Sequence, residues 1–258
     1  MPADAIVPVP ELIAFLLVLA RVAGAFVFLP LPGFRQGPEP ARAVFALCLT
    51  LALFPNWPAI VEVPAPGELA GWLVMEAALG IVAGLGVSFL AESFLVGAQA
   101  VGLPAGYAYA SIVDPNTQAD SGVLLVFAQL AAGMLFFALG FDHAVLRILA
   151  DSLRAHPPGA VTLSESAARA VIEMGRGIFS TGLRLAMPAV ALLLLVDIAL
   201  ALVGRINAHL QLLTLAFPLK MMAAILILAS TAVLFPGLFS GYGRHTLGVV
   251  RRLLAAGG

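Results

Sequence analysis

The chain reads as an all-α integral membrane protein with broken or re-entrant helical hairpins, and three observations carry that reading. Of its 258 residues 62% are hydrophobic and 10% charged, with a mean hydropathy of +1.06, whereas soluble domains carry about 25% charged residues. The apolar residues come in runs at 12–29, 43–54, 69–103, 123–139, 189–203 and 219–234, approaching or reaching the roughly 17–25 residues of a membrane span. Between two of these runs lies Gly102-Leu-Pro-Ala-Gly-Tyr-Ala-Tyr-Ala-Ser-Ile-Val-Asp-Pro-Asn-Thr-Gln-Ala-Asp-Ser-Gly122, which holds no Lys or Arg. Pro104 and Pro115 argue against a continuous helix there, because each lacks an N–H and restricts the residue before it. Lipid cannot satisfy open backbone, so a broken, uncharged segment between such runs belongs inside protein or along a pore.

The first helix opens after Pro8 and Pro10 and runs to about Leu29, with Arg21 near its middle. A rigid turn region follows, built on Pro30, Pro32, Gly33, Gly37, Pro38 and Pro40 and carrying Arg35 and Arg42. The second helix, 41–54, is short for a span, and a Pro-rich connection leads from it to the third run. Trp57 and Trp72 flank that connection as expected membrane-interface anchors. The run 69–103 amounts to about 52 Å of ideal helix, too long for one crossing. Its Gly80-x-x-x-Gly84 and Gly86 permit either close helix contact or a break.

Downstream of the broken segment, 123–139 leads into an amphipathic helical hairpin over about 141–187. In its first arm Asp142, Arg147, Asp151 and Arg154 share one sector, and Val145, Leu146, Leu149 and Leu153 another. His156-Pro-Pro-Gly159 ends that arm, and Ser164 caps the second, where Glu165, Arg169, Glu173, Arg176 and Arg184 recur at helical spacings. Pro188 precedes the fifth run; Phe217-Pro-Leu-Lys220 opens the sixth; Pro236-Gly237 closes it before a basic tail with Arg244, Arg251 and Arg252.

Positive charge favours the cytoplasmic side near span ends. The positive zones are Arg35/Arg42, Arg147 to Arg184, and Arg244 to Arg252. Plain spanning helices put the first zone opposite the other two. Splitting 69–103 near Gly84/Gly86 brings all three together, so the sequence predicts a break there.

A formal net charge of −1 and one lysine, Lys220, leave no basic stripe for nucleic acid. The lone Cys48 sits in an apolar run as a small core or lipid-facing residue. The N-terminal residues carry no basic region ahead of the first run, which is expected to be retained. No cofactor or metal is expected: His143, His156, His209 and His245 lack metal-ligand spacing, and no catalytic motif is present. Asp142-His143 is a carboxylate–imidazole neighbour pair, but adjacent helix positions do not face each other, so it reads as a helix cap and the chain as no enzyme. Charges inside the apolar runs are costly and call for partners or a polar path. Arg21, Glu92, Asp197 and Lys220 are read as buried charges for pairing between helices or subunits; Glu76 and Lys220 lie near run ends, where snorkelling suits them.

Several blocks in order resemble the flagellar biosynthetic protein FliR family, whose injectisome counterpart is the T component of type III export. They are Leu-x-Arg-Val-Ala-Gly-x-Phe-x-Phe-x-Pro from Leu19 to Pro30, Arg42, and Gly102-x-x-x-Gly106-x-x-x-Ala110-x-x-x-Asp114-Pro115. Phe127, Gly140 to His143, Leu149 to Ser152, Leu194 to Asp197 and Phe217 to Lys220 complete the series over nearly the whole chain. The resemblance implies a single export-gate domain over 1–258, in which halves like the family's P-type and Q-type subunits are joined. It implies one such subunit with five FliP-type and four FliQ-type copies in a helical ring, alongside FlhB-type and FlhA-type components. The ring would surround a channel for unfolded flagellar proteins, in the inner membrane at the flagellar basal body. The family's pore-plugging loop maps onto about 104–122, with Gly106, Tyr107, Ala108, Tyr109, Ala110, Ile112, Asp114 and Pro115 in the plug. Here Asn116-Thr117-Gln118-Ala119 follow the Asp-Pro, and Tyr107 and Tyr109 stand where many members carry Met, Leu or Phe. Two other readings stand beside it: an injectisome component, and a proton-coupled small-molecule transporter using Glu92 and Asp197 as coupling carboxylates.

Overall fold

The computed structural model describes residues 8–29, 39–107, 122–155, 165–206 and 212–256, and every regular element among them is helical. Eight α-helices follow in order among the described residues: α1 (Val9–Phe28), α2 (Glu39–Ala52), α3 (Pro66–Ala105), α4 (Gly122–Ala138), α5 (Phe141–Ala155), α6 (Glu165–Ile206), α7 (Leu212–Thr231) and α8 (Phe235–Ala256). Short 3-10 turns at Phe54–Asn56 and Ala232–Leu234 follow α2 and α7. Four stretches are long and apolar enough to cross a membrane: α1, α3, α6, and residues 218–254 of α7 and α8. Helices α4 and α5 make a fifth if taken together as one broken span. This is an integral membrane helical protein.

Residues group into two compact units, with α3, α6 and α8 each contributing to both. The first comprises 1–89, 140–174 and 243–258. Its α1 begins at a proline pair, with Glu11 in the first turn where the helix dipole favours negative charge. The helix ends at Leu29, extended at ψ 119° ahead of Pro30. Val18, Val22 and Phe26 on its inner face pack with Ala46, Leu53 and Leu153. Trp57 is half-buried there: its indole N–H donates to the Thr50 carbonyl at 3.0 Å and its ring lies 5.6 Å from that of Phe15.

The backbones of α1 and α3 meet across glycines. A Cβ on Gly80 would stand 1.9 Å from the Arg21 carbonyl oxygen, one on Gly84 2.3 Å from that of Ala25, and one on Gly24 2.4 Å from that of Ala77. Here the structure corrects the expected break near Gly84/Gly86: α3 is one helix of 40 residues. Its glycines serve close helix approach, the other use of small residues in apolar helices. The extra crossing that gathered the three positive zones on one side is therefore absent, and an unbroken α3 of about 60 Å exceeds a hydrocarbon core of about 30 Å.

Prolines mark boundaries less often than expected. α3 continues through Pro104 and stops at Ala105, with Gly106 at φ +85° taking the left-handed cap. Pro104 gives up only the one bond to the Ala100 carbonyl near the helix end, and the break falls at the glycine. The second arm of the amphipathic hairpin and the fifth apolar run form one helix, α6, of 42 residues through Pro188. Pro188 and Arg184, whose carbonyl loses its i+4 donor, both lie on the exposed side. α7 likewise contains Pro218, and the basic tail after Pro236 is helical, in α8. Ser164, expected as a cap, lies outside the described residues.

Candidate functional site

The expected plug spans two described anchors and an interior that lies outside the described residues. Gly106 and Tyr107 are described, as is the chain from Gly122 onward; Ala108, Tyr109, Ala110, Ile112, Asp114 and Pro115 are not. Both anchors belong to the second unit, 90–139 with 175–242. At the outgoing end α3 delivers Val101 and Ala105 to a small apolar cluster, and the Gly106 turn swings Tyr107 into it at 7% exposure. At the returning end α4 contributes Leu124, while α6 supplies Ala186, Ala189 and Leu193 and α7 supplies Ala224. The Tyr107 hydroxyl donates to the Met221 carbonyl at 3.4 Å, a long and weak bond. An apolar cavity of about 30 Å³ opens beside Val101 and Leu124, lined also by Phe94, Phe127, Leu185 and Phe235. Such a void stays dry and leaves its lining short of dispersion contacts.

Each sequence-predicted charge has a distinct setting. In the first unit the Arg21 guanidinium, 1% exposed, donates through Nε to Glu76 Oε2 at 2.5 Å and through Nη2 to Glu76 Oε1 at 2.9 Å. Its Nη1 donates to the Ser152 hydroxyl at 3.0 Å, and that hydroxyl donates to the Leu149 carbonyl at 2.7 Å. Glu76 is 2% exposed, which overturns the expectation that it snorkels. A bidentate pair satisfies both groups where water does not reach. Sequence reading missed Ser152 as a third partner. The signal for Glu76 was present: Glu76, Gly80 and Gly84 recur every fourth residue on α3, so the row that meets α1 also carries the carboxylate.

In the second unit Lys220 on α7 pairs with Asp197 on α6, their side chains 17% and 37% exposed. The lysine is thus held by a neighbouring helix as well as near its run end. Glu92 on α3 is half-buried and engaged in an interaction of its own. Asp142 and His143 do touch, Oδ1 to Nδ1 at 3.0 Å, contrary to the expectation for adjacent helix positions. They sit at the start of α5, where His143 is exposed and its side chain is free to fold back on its neighbour. Among the described residues no three His, Cys, Asp or Glu side chains come together as a metal site.

Comparison with known proteins accords with this arrangement. The profile described as bacterial export proteins, family 1, matches residues 12–245. The chain is 29% identical over 238 residues to the flagellar biosynthetic protein FliR of Escherichia coli K12, covering 92% of this chain and 89% of that protein. It is 26% identical over 253 residues to the protein of the same name from Bacillus subtilis 168, covering 94% and 95%. To that of Caulobacter vibrioides it is 27% identical over 217 residues, covering 83% and 86%. With the match running from the first turn of α1 into α8, the chain belongs to the bacterial export proteins, family 1, the family of flagellar biosynthetic protein FliR.

Proposed function

We propose that this chain is a non-enzymatic, channel-forming subunit of the flagellar type III protein export gate in the bacterial inner membrane, and that residues 104–122 plug its pore. Family membership along nearly the whole chain is the observation that carries the first half of the reading. The assembly would be that of the family, with five FliP-type and four FliQ-type subunits around the channel, FlhB-type and FlhA-type components beside it, and unfolded flagellar proteins as cargo. The plug reading draws its support from the segment's composition and from its base. Residues 108–121 contain no Lys or Arg, and both ends leave from an apolar cluster beside a dry void. Small residues fill a narrow channel, and an apolar base with one long hydrogen bond holds its segment weakly enough to withdraw.

Since Tyr107 is part of the base, the test spares it. Replacing 108–112 by a Gly-Ser stretch of equal length should leave the subunit in its complex but let ions and small solutes leak through the membrane. A tight membrane around the assembled complex would defeat the plug reading. For the gate itself, a deletion strain should lose motility and lack external filaments; a strain that keeps both would rule out the flagellar role. Co-purification in the ratio of one to five to four checks the copy numbers.

A further inference from the structure

Three arginines of the first unit converge on one open groove that neither the buried ion pair nor the plug reading uses. It lies between α5 and α8 and encloses about 520 Å³. Arg147 comes from α5, and Arg244 and Arg251, two helical turns apart, from α8. Asp151 is the one acidic side chain among its lining residues, so the formal charge is +2, three positive against one negative. The floor is apolar: Phe141 and Leu247 are buried and Ile148 is half-buried. Phe141 also packs under the α8 backbone, where a Cβ on Gly243 would stand 2.4 Å from its ring. Among the described residues Arg147 and Arg251 have no hydrogen-bond or ion-pair partner, and all three guanidiniums are exposed. Two exposed guanidiniums without a described partner keep their forks of N–H donors available, and a fixed anion in the groove can accept from both at once.

We propose that this groove binds the headgroup of an anionic phospholipid. Guanidinium forks match the oxygens of a phosphodiester two at a time, and basic pockets beside the helices of membrane proteins are where acidic headgroups lodge. The apolar floor accommodates the glycerol and the first acyl carbons, which a bare phosphate leaves uncovered. The apolar side of α5, with Val145, Leu149 and Leu153, is buried within the unit, so its charged side, with Arg147 and Asp151, is the side that faces outward. Lipid bound there would hold α5 and the end of α8 at headgroup depth.

Native mass spectrometry tests this on the full-length chain, extracted in mild detergent with whatever subunits remain attached. Phosphatidylglycerol and phosphatidylcholine with the same acyl chains are titrated in parallel. Wild type should retain the anionic lipid at least about tenfold better, and each of Arg147→Gln and Arg251→Gln should cut that preference about fivefold. Thermal unfolding without lipid should be unchanged in both variants, because neither arginine has a partner among the described residues. Should either variant unfold early, Arg147→Lys and Arg251→Lys keep the charge without the fork and should show intermediate retention. Equal retention of both lipids by wild type, or a preference that survives both glutamines, overturns the proposal. Release of the lipid by millimolar inorganic phosphate would also overturn it, assigning the groove to free phosphate, and displacement by an acidic peptide alone would assign it to a protein partner.

Discussion

Each unit holds a cation–carboxylate pair between two apolar helices, Arg21–Glu76 in the first and Lys220–Asp197 in the second, and the two pairs are built on opposite terms. Arg21–Glu76 is sealed, bidentate, and backed by Ser152 and by a glycine-lined crossing of α1 and α3. Lys220–Asp197 pairs a flexible ammonium with a carboxylate that is more than a third exposed. The surroundings differ in the same sense. In the apolar windows of α1 and α3, 44% of residues are buried, against 17% in those of α6 and of α7 with α8. Leu194, Leu195, Ile198, Ile225 and Leu226 present open apolar side chains on α6 and α7. The first unit thus fixes its helices by its own contacts. The second leaves much of its helix surface to whatever surrounds it, lipid or neighbouring subunits, and it is the unit that carries both ends of the proposed plug.

The sharpest way to break this contrast is to orphan the sealed charge. Glu76→Ala leaves Arg21 buried without a carboxylate and should cost about 3–5 kcal/mol, seen as loss of the protein from membranes or a large fall in its unfolding temperature in detergent. Replacing both partners, Arg21→Met with Glu76→Leu, should recover most of that loss, since breaking a buried pair costs far more than exchanging it for packed apolar groups. If Asp197→Ala proved as damaging as Glu76→Ala, the distinction between the units would collapse.

The glycine crossing comes next. A methyl at Gly80 meets the Arg21 carbonyl oxygen at 1.9 Å, backbone against backbone, so α1 and α3 must separate. Gly80→Ala should cost about 1–3 kcal/mol or more and loosen the ion pair one turn away. In the second unit a methyl at Gly97 meets the Gly182 carbonyl oxygen at 3.1 Å, which asks for a shift of tenths of an ångström. Gly97→Ala should therefore unfold only slightly earlier than the parent. Equal losses at the two glycines would mean that both crossings are equally rigid. Below these stands the open pair: Asp197→Asn should change stability by no more than about 1 kcal/mol, the range of ion pairs that solvent or headgroups reach.

Composition and run length were enough to read the fold class, because membrane-grade apolarity is a property of every segment. Apart from the Asp142–His143 contact, the misjudged features turned on surroundings that a local stretch of sequence does not show. Glu76 sits near a run end, which locally suggests snorkelling, but its partner arrives from a helix 55 positions away in sequence. Pro188 and Pro218 look like helix ends, yet α6 and α7 run through them. Apolar helices tolerate proline where neighbours or local adjustment satisfy the freed backbone groups. The Gly80/Gly84 spacing left contact and break equally open until α1 was seen against it. At the candidate site, Pro104 does not end α3, which stops before Gly106, and Pro115 lies outside the described residues. The burial of Tyr107 in an apolar cluster was not legible, because that cluster draws on α4, α6 and α7.

The smallest expected effect bears on that base. Tyr107→Phe removes a hydroxyl whose only described partner is the Met221 carbonyl at 3.4 Å. It should lower stability by under about 1 kcal/mol and leave the membrane sealed, because the ring stays in its cluster. Tyr107→Ala also withdraws the ring from Val101, Leu193 and Ala224, and large-to-small changes at buried aromatic positions cost about 3–5 kcal/mol. If the base holds the plug through packing, the alanine variant should leak and the phenylalanine variant should not, measured as ion flux through vesicles containing the assembled complex. Leakage from the phenylalanine variant would put the hold in the long hydrogen bond instead, and the two units would then both depend on polar contacts.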